Sequence, residues 1–147
     1  MSASNGFNVK LELLENYIFK VDFGDFGDIL TDEAPPLGNG EGPNPARLVA
    51  AAVGNCLCAS LLFALRKFKD NPSGVRAEVN GEMERQEGRW RIARLKVQMT
   101  VDDTNALEHL PNALQQFEDF CIVTQSIRQG IPVEVAVFDS AGNLLKS

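Results

Sequence analysis

The sequence predicts an α+β fold: a β-hairpin, a long helix, a second hairpin, shorter helices and a closing strand, in one domain spanning 1–147. Three features predict it. Apolar residues alternate with polar ones in several short blocks. A run from Leu48 to Leu65 carries no charge at all. Between 104 and 129 the apolar residues return at helical spacing.

The first extended block covers 8–31. Val9, Leu11 and Leu13 alternate with polar neighbours, as do Tyr17, Phe19, Val21 and Phe23, with a turn at Glu15-Asn16. Gly24-Asp25 and Gly27-Asp28 mark another turn, and Ile29, Leu30 and Thr31 add a short third strand. Residues 32–44 form a loop, because Pro35, Pro36, Gly38, Gly40 and Gly42 keep regular structure out. A loop that long inside a domain is often functional.

Asn44 suits an N-cap and Pro45 the first helical position. The helix predicted from there runs to about Phe68, roughly 36 Å. A helix apolar on every face is buried or spans a membrane. Asn55 in mid-segment and the close-packing Ala50-Ala51-Ala52 favour a buried central helix over a span. Residues 75–87 and 90–101 read as an antiparallel hairpin turning at Glu87-Gly88. Asp103 or Thr104 can cap a helix over about 104–119, with Pro111 marking a start or a kink. A short helix follows over 122–129, closed by Gly130, and Ile131 to Phe138 reads as the last strand.

Composition narrows the function. A net charge of -6 argues against nucleic-acid and anionic-membrane partners, which call for a basic face. The polar start from Met1 to Phe7 does not read as a signal peptide, so a cytoplasmic location is expected. Three cysteines are too few for a disulfide scaffold and fit reduced thiols. Cys56 and Cys58, two apart on a helix, point roughly 200° away from each other and cannot meet. Cys56 shares a stripe with Ala52, Asn55, Ser60 and Phe63; Cys58, with Gly54, Leu61, Leu62 and Leu65 beside it, reads as packing. Cys121 opens the short helix, where free N–H groups favour a thiolate. His109 is the one histidine and reads as a solvated surface residue early on the second helix; no metal set or cofactor motif is expected. The carboxylates read as solvated charge on turns and strand surfaces.

The run Gly42-Pro43-Asn44-Pro45-Ala46-Arg47-Leu48-Val49-Ala50-Ala51-Ala52-Val53-Gly54-Asn55-Cys56 resembles the OsmC/Ohr pattern: a Gly-x-x-Pro loop, then an alanine-rich helix with a cysteine near its middle. Phe120-Cys121-Ile122-Val123 resembles the second motif of that family, 65 positions after Cys56. The resemblance implies an intertwined homodimer with two long central helices flanked by antiparallel β-sheets. It implies a two-cysteine peroxidase of organic hydroperoxides, with Cys56 peroxidatic, Cys121 resolving and an external dithiol as reductant. Peroxidase members carry an arginine in the N-terminal strands and a glutamate just after the helix-start proline. This chain has no arginine before Arg47, only Lys10 and Lys20 as cations there, and Ala46 in place of the glutamate. Arg47 or Arg128 could serve from another direction. The alternatives are a non-catalytic module that binds a small apolar ligand or senses redox state, and a scaffold with inert thiols.

Overall fold

The computed structural model describes residues 6–147. These fall into two units: one runs up to Gly54 and adds Glu78–Gln98, and the other comprises Asn55–Ala77 and Met99–Ser147. The long helix α1 (Pro45–Lys67) and the hairpin of β4 (Val75–Gln86) and β5 (Arg89–Val101) each contribute residues to both.

In the first unit, β1 (Lys10–Glu15), β2 (Ile18–Asp22) and β3 (Asp28–Thr31) form an antiparallel sheet in the order β1-β2-β3. Leu11 pairs with Val21 and Lys20 with Leu30, as the alternation requires. Asn16 turns the first hairpin at φ 50°, a left-handed conformation that asparagine tolerates. Ile18, Val21 and Thr31 supply the buried side chains of the sheet. At the tip of the second hairpin, Glu87 and Gly88 both take positive φ, the pattern of a two-residue turn that matches strand twist. Gly54 lets helix and hairpin approach: a Cβ there would lie 2.8 Å from Val79 Cγ2.

The loop after β3 is built around one carboxylate. Asp32, 2% exposed, accepts hydrogen bonds from the backbone N–H groups of Glu33 (2.7 Å), Asn39 (3.1 Å) and Glu41 (3.1 Å). This corrects the expectation that carboxylates only decorate the surface: a buried one persists because its lone pairs are filled. The Glu41 N–H does most to hold the Asp32 pKa below the usual carboxylate value; Glu33 and Asn39 add to it, and burial opposes it. The clamp is therefore at full strength above about pH 4 and weakens as pH falls through the lowered folded pKa. Amide exchange at Asn39 and Glu41 is expected to accelerate in acid, and Asp32→Asn to remove most of that pH dependence. Unchanged protection in Asp32→Asn would show that the carboxylate does not hold the loop.

In the second unit the core lies along α1. Leu57, Ser60, Leu61, Ala64 and Leu65 are buried, as are Leu107, Ala113, Phe117 and Cys121. The opposite stripe, Asn55, Ala59 and Phe63, is exposed. Over the most apolar 18 residues of α1, which are long and apolar enough to cross a membrane, only 39% are buried. The expectation of a fully buried helix is thus not met among the described residues, which leave that stripe largely open.

The helix expected over 104–119 is broken into a 3₁₀ turn (Thr104–Ala106), α2 (Leu110–Gln116) and a second 3₁₀ turn (Phe117–Phe120). Pro111 sits in the first turn of α2, where its missing N–H costs nothing. Asp103 takes a left-handed φ of 52° and makes no side-chain cap. His109 precedes α2 rather than riding on it. It is half-buried, not solvated: its ring stacks on Phe68 (centroids 5.0 Å apart, 7° between planes), and its backbone N–H donates to Asp70 Oδ2 at 2.7 Å. The apolar neighbour Phe68 at the end of α1 explains the difference.

α3 (Ile122–Gln129) follows, stopped by Gly130 at φ 82°. The strand predicted over 131–138 survives only as β6 (Val137–Phe138), which pairs with β7 (Leu144–Lys146) around a turn organised by Asp139. Residues 131–136 carry the alternating pattern of a strand with no ladder partner among the described residues, and Ile131, Val133 and Val135 are exposed. A strand needs a neighbour to hold its backbone groups, and alternation alone cannot supply one.

Candidate functional site

The site is built where the middle of α1 faces the start of α3, within the second unit. Two local features bring Cys121 there. The 3₁₀ turn that ends at Phe120 passes its chain on through the Cys121 N–H, which donates to Glu118 O at 3.1 Å. The Cys121 carbonyl then accepts the Gln125 N–H at 3.0 Å, opening α3 with Cys121 as its N-cap residue. Phe120 is tied to α1 from the side: its ring meets Phe63 edge-on at 5.1 Å, and the Lys67 ammonium lies 4.8 Å over it. Arg128, at the far end of α3, pairs with Glu118 at 2.6 Å and so staples the helix to the preceding turn.

All three cysteines are free thiols. Cys56 and Cys121 lie near enough for each to shift the other's titration; Cys58 is not part of the pair. Cys121 has no solvent exposure and Cys56 is partly exposed, so a molecule arriving from outside reaches Cys56 first. Burial pushes the Cys58 thiol up, as expected of a packing residue.

The pair divides its charge unevenly. Burial pushes the Cys56 thiol up and its hydrogen bond with Cys121 adds to the rise; the Val123 N–H and Ser60 hydroxyl oppose this without reversing it. Burial also works against a Cys121 thiolate, but hydrogen bonds from Cys56, the Thr124 hydroxyl, the Thr124 N–H and Ser60 outweigh it, and that thiol is lowered. The two sulfurs titrate as one system, and more donors converge on Cys121 than on Cys56. The sulfur makes no regular capping hydrogen bond to α3, so side chains rather than the helix end alone support it.

Neither cation suggested by the sequence is among the groups acting on Cys56. Arg128 is engaged with Glu118. Arg47 instead lines a cleft of about 380 Å³ in the first unit, between α1 and the second hairpin, with Asn44, Asn80, Val79, Met83 and Leu95. Among the described residues no group of three His, Cys, Asp or Glu could hold a metal ion. Ser60 and Thr124 are the site residues that reading the cysteines alone overlooks. Their signal was available: Ser60 is four residues after Cys56 and Thr124 three after Cys121, each one turn along its helix.

Known proteins place this arrangement in a family. No curated protein matches the sequence. The fold matches an OsmC-like protein of unknown function from Vibrio cholerae, with a TM-score of 0.67 at 16% identity over 84% of this chain and 94% of that one. An organic hydroperoxide resistance protein OsmC from Legionella pneumophila gives 0.65 at 15% identity, over 90% of this chain and 96% of that one. The organic hydroperoxide resistance protein OhrB of Bacillus subtilis gives 0.61 at 17% identity, over 87% and 96%. Identities this low speak for the mixed α/β fold with antiparallel sheets. The sequence profile of the OsmC-like proteins matches residues 38–136, a stretch that holds α1, the second hairpin and both motif cysteines. The chain belongs to the OsmC-like protein family.

Proposed function

We propose that this protein reduces organic hydroperoxides with Cys56 and Cys121 as a two-cysteine pair. The observation that carries the reading is that these two thiols, 65 positions apart in sequence, act on one another's titration, with the outer one partly open and the inner one wholly buried. The names of the Legionella and Bacillus neighbours support the substrate class.

Cys56 attacks one peroxide oxygen and the O–O bond breaks. An alcohol departs with the proton Cys56 gives up, leaving a sulfenic acid on Cys56. The Cys121 thiolate attacks the Cys56 sulfur, the S–O bond breaks and hydroxide leaves as the disulfide forms. The two thiols have then given two electrons to the peroxide, and an external dithiol restores them. In the presence of such a reductant the purified protein is expected to consume organic hydroperoxide. Without it, one equivalent should produce a Cys56–Cys121 disulfide visible by peptide mass mapping. Absence of both turnover and disulfide overturns the proposal.

The working unit in this reading is a homodimer in the cytoplasm, with the α1 helices of two copies packed at its centre. The exposed stripe Asn55, Ala59 and Phe63 and the apolar segment at Ile131, Val133 and Val135 support it, since both remain largely open among the described residues. Sedimentation at micromolar concentration is expected to give twice the chain mass, and a monomer would remove this part of the reading.

One observation favours a second reading. The Cys56 thiol is raised and no cation acts on it, which suits a redox sensor or a holder of small apolar ligands better than a fast peroxidase. Disulfide formation without catalytic turnover would select it.

A further inference from the structure

The cleft that Arg47 lines, about 380 Å³, falls within the range of roughly 300–1,000 Å³ usual for small-molecule sites. All its lining residues belong to the first unit. One wall is the start of α1 and the other is the second hairpin. The lining is amphipathic. Ala50, Val79, Met83, Ile92 and Leu95 give it an apolar surface, on which Met83 and Ile92 remain 50% and 39% exposed. Asn44, Arg47 and Asn80 add polar groups. Arg47 is the one charge on the lining, positive in a chain whose net charge is -6. Its guanidinium makes no ion pair among the described residues, so its donors are open to a ligand. Asn44 Oδ1 accepts the Arg47 backbone N–H at 3.0 Å, which leaves the Asn44 amide N–H groups as further donors.

The chain that enters the cleft is fixed before any ligand arrives. The Asp32 N–H donates to Pro43 O at 3.3 Å, and Gly42 runs so near β3 that a Cβ there would collide with Leu30 O. Donors held in place this way lose little freedom on binding. We propose that this cleft binds a medium-chain organic monocarboxylate, with its carboxylate on Arg47 and its tail along Met83, Ile92 and Leu95. A carboxylate matches the planar fork of a guanidinium and brings one negative charge to one positive charge. A phosphate would bring charge that the lining does not balance, and a ligand without a tail would leave the apolar wall wet. No cysteine lines the cleft, so the inference stands independently of the hydroperoxide chemistry.

The test is calorimetric titration of the full-length protein with octanoate at neutral pH and low salt, where saturable binding is expected. Octanol lacks the charge and acetate lacks the tail; each is expected to bind at least about tenfold more weakly. Arg47→Gln is expected to weaken octanoate binding about tenfold, and Arg47→Lys to recover part of the loss. Ala50→Leu fills the cleft and is expected to remove binding, with the melting temperature showing whether the fold is kept. Arg47 is exposed, so should Ala50→Leu not fold, Arg47→Gln decides alone. Absence of octanoate binding, octanol binding as tight as octanoate, or an affinity unchanged in Arg47→Gln overturns the proposal. So does a cleft closed by a second copy of the chain, seen as no octanoate binding together with a dimer that Met83→Glu splits in sedimentation.

Discussion

Cys56→Ser is expected to reduce hydroperoxide turnover to background, a loss of about a thousandfold or more. The serine hydroxyl nearly matches the thiol in size and can keep its hydrogen bonds to Cys121, Ser60 and the Val123 N–H, so the fold has no reason to change. What disappears is a sulfur, far more nucleophilic than a hydroxyl oxygen, that can attack an O–O bond. Cys121→Ser separates the two half-reactions: one equivalent of peroxide still yields a sulfenic acid on Cys56, but no internal disulfide follows. Cys58→Ser leaves turnover close to that of the unaltered protein, because that thiol is outside the pair. A turnover rate equal to that of the parent protein in Cys56→Ser would end the assignment of Cys56 as the attacking group.

Leu65→Ala is expected to be among the most destabilising single changes in the chain. Leu65 has no solvent exposure and lies one turn beyond Leu61, itself 1% exposed, on the buried face of α1. Truncation forfeits the transfer energy of the lost carbons and leaves a cavity that a helix hemmed in on that face cannot fill. Together these cost about 2–5 kcal/mol, a large part of the roughly 5–15 kcal/mol that typically separates folded from unfolded states. The melting temperature should fall by roughly 5–15 °C. Leu62→Ala, at a half-buried position on the same helix, is the comparison and should cost less. Equal losses at the two positions would mean that the buried face of α1 does not carry the core.

The long helix was legible because its signals are local: Asn44 and Pro45 at one end, an uncharged run, and a break after Lys67. The two hairpins were legible for the same reason, down to the turn at Glu87 and Gly88. The cysteine pair was reached through resemblance to a family, since nothing in spacing alone says that positions 56 and 121 meet. What the sequence hid depends on distant partners. His109 looked solvated because Phe68, which its ring covers, stands 41 positions earlier. Asp32 looked like one more surface acid because its three N–H donors come from a loop without a recognisable pattern. The predicted last strand failed from Ile131 to Ala136 for the opposite reason. Its pattern is sound, but none of the described residues pairs with it.

That stretch also bears on how the protein is made. Val133 and Val135 present a row of β-branched side chains beside unclaimed backbone donors and acceptors, a template any other extended polypeptide can copy. During synthesis it emerges late, after the helices, so newly finished molecules carry a sticky edge until something occupies it. Expression yield is then expected to depend on how fast that edge is covered as well as on the strength of the core.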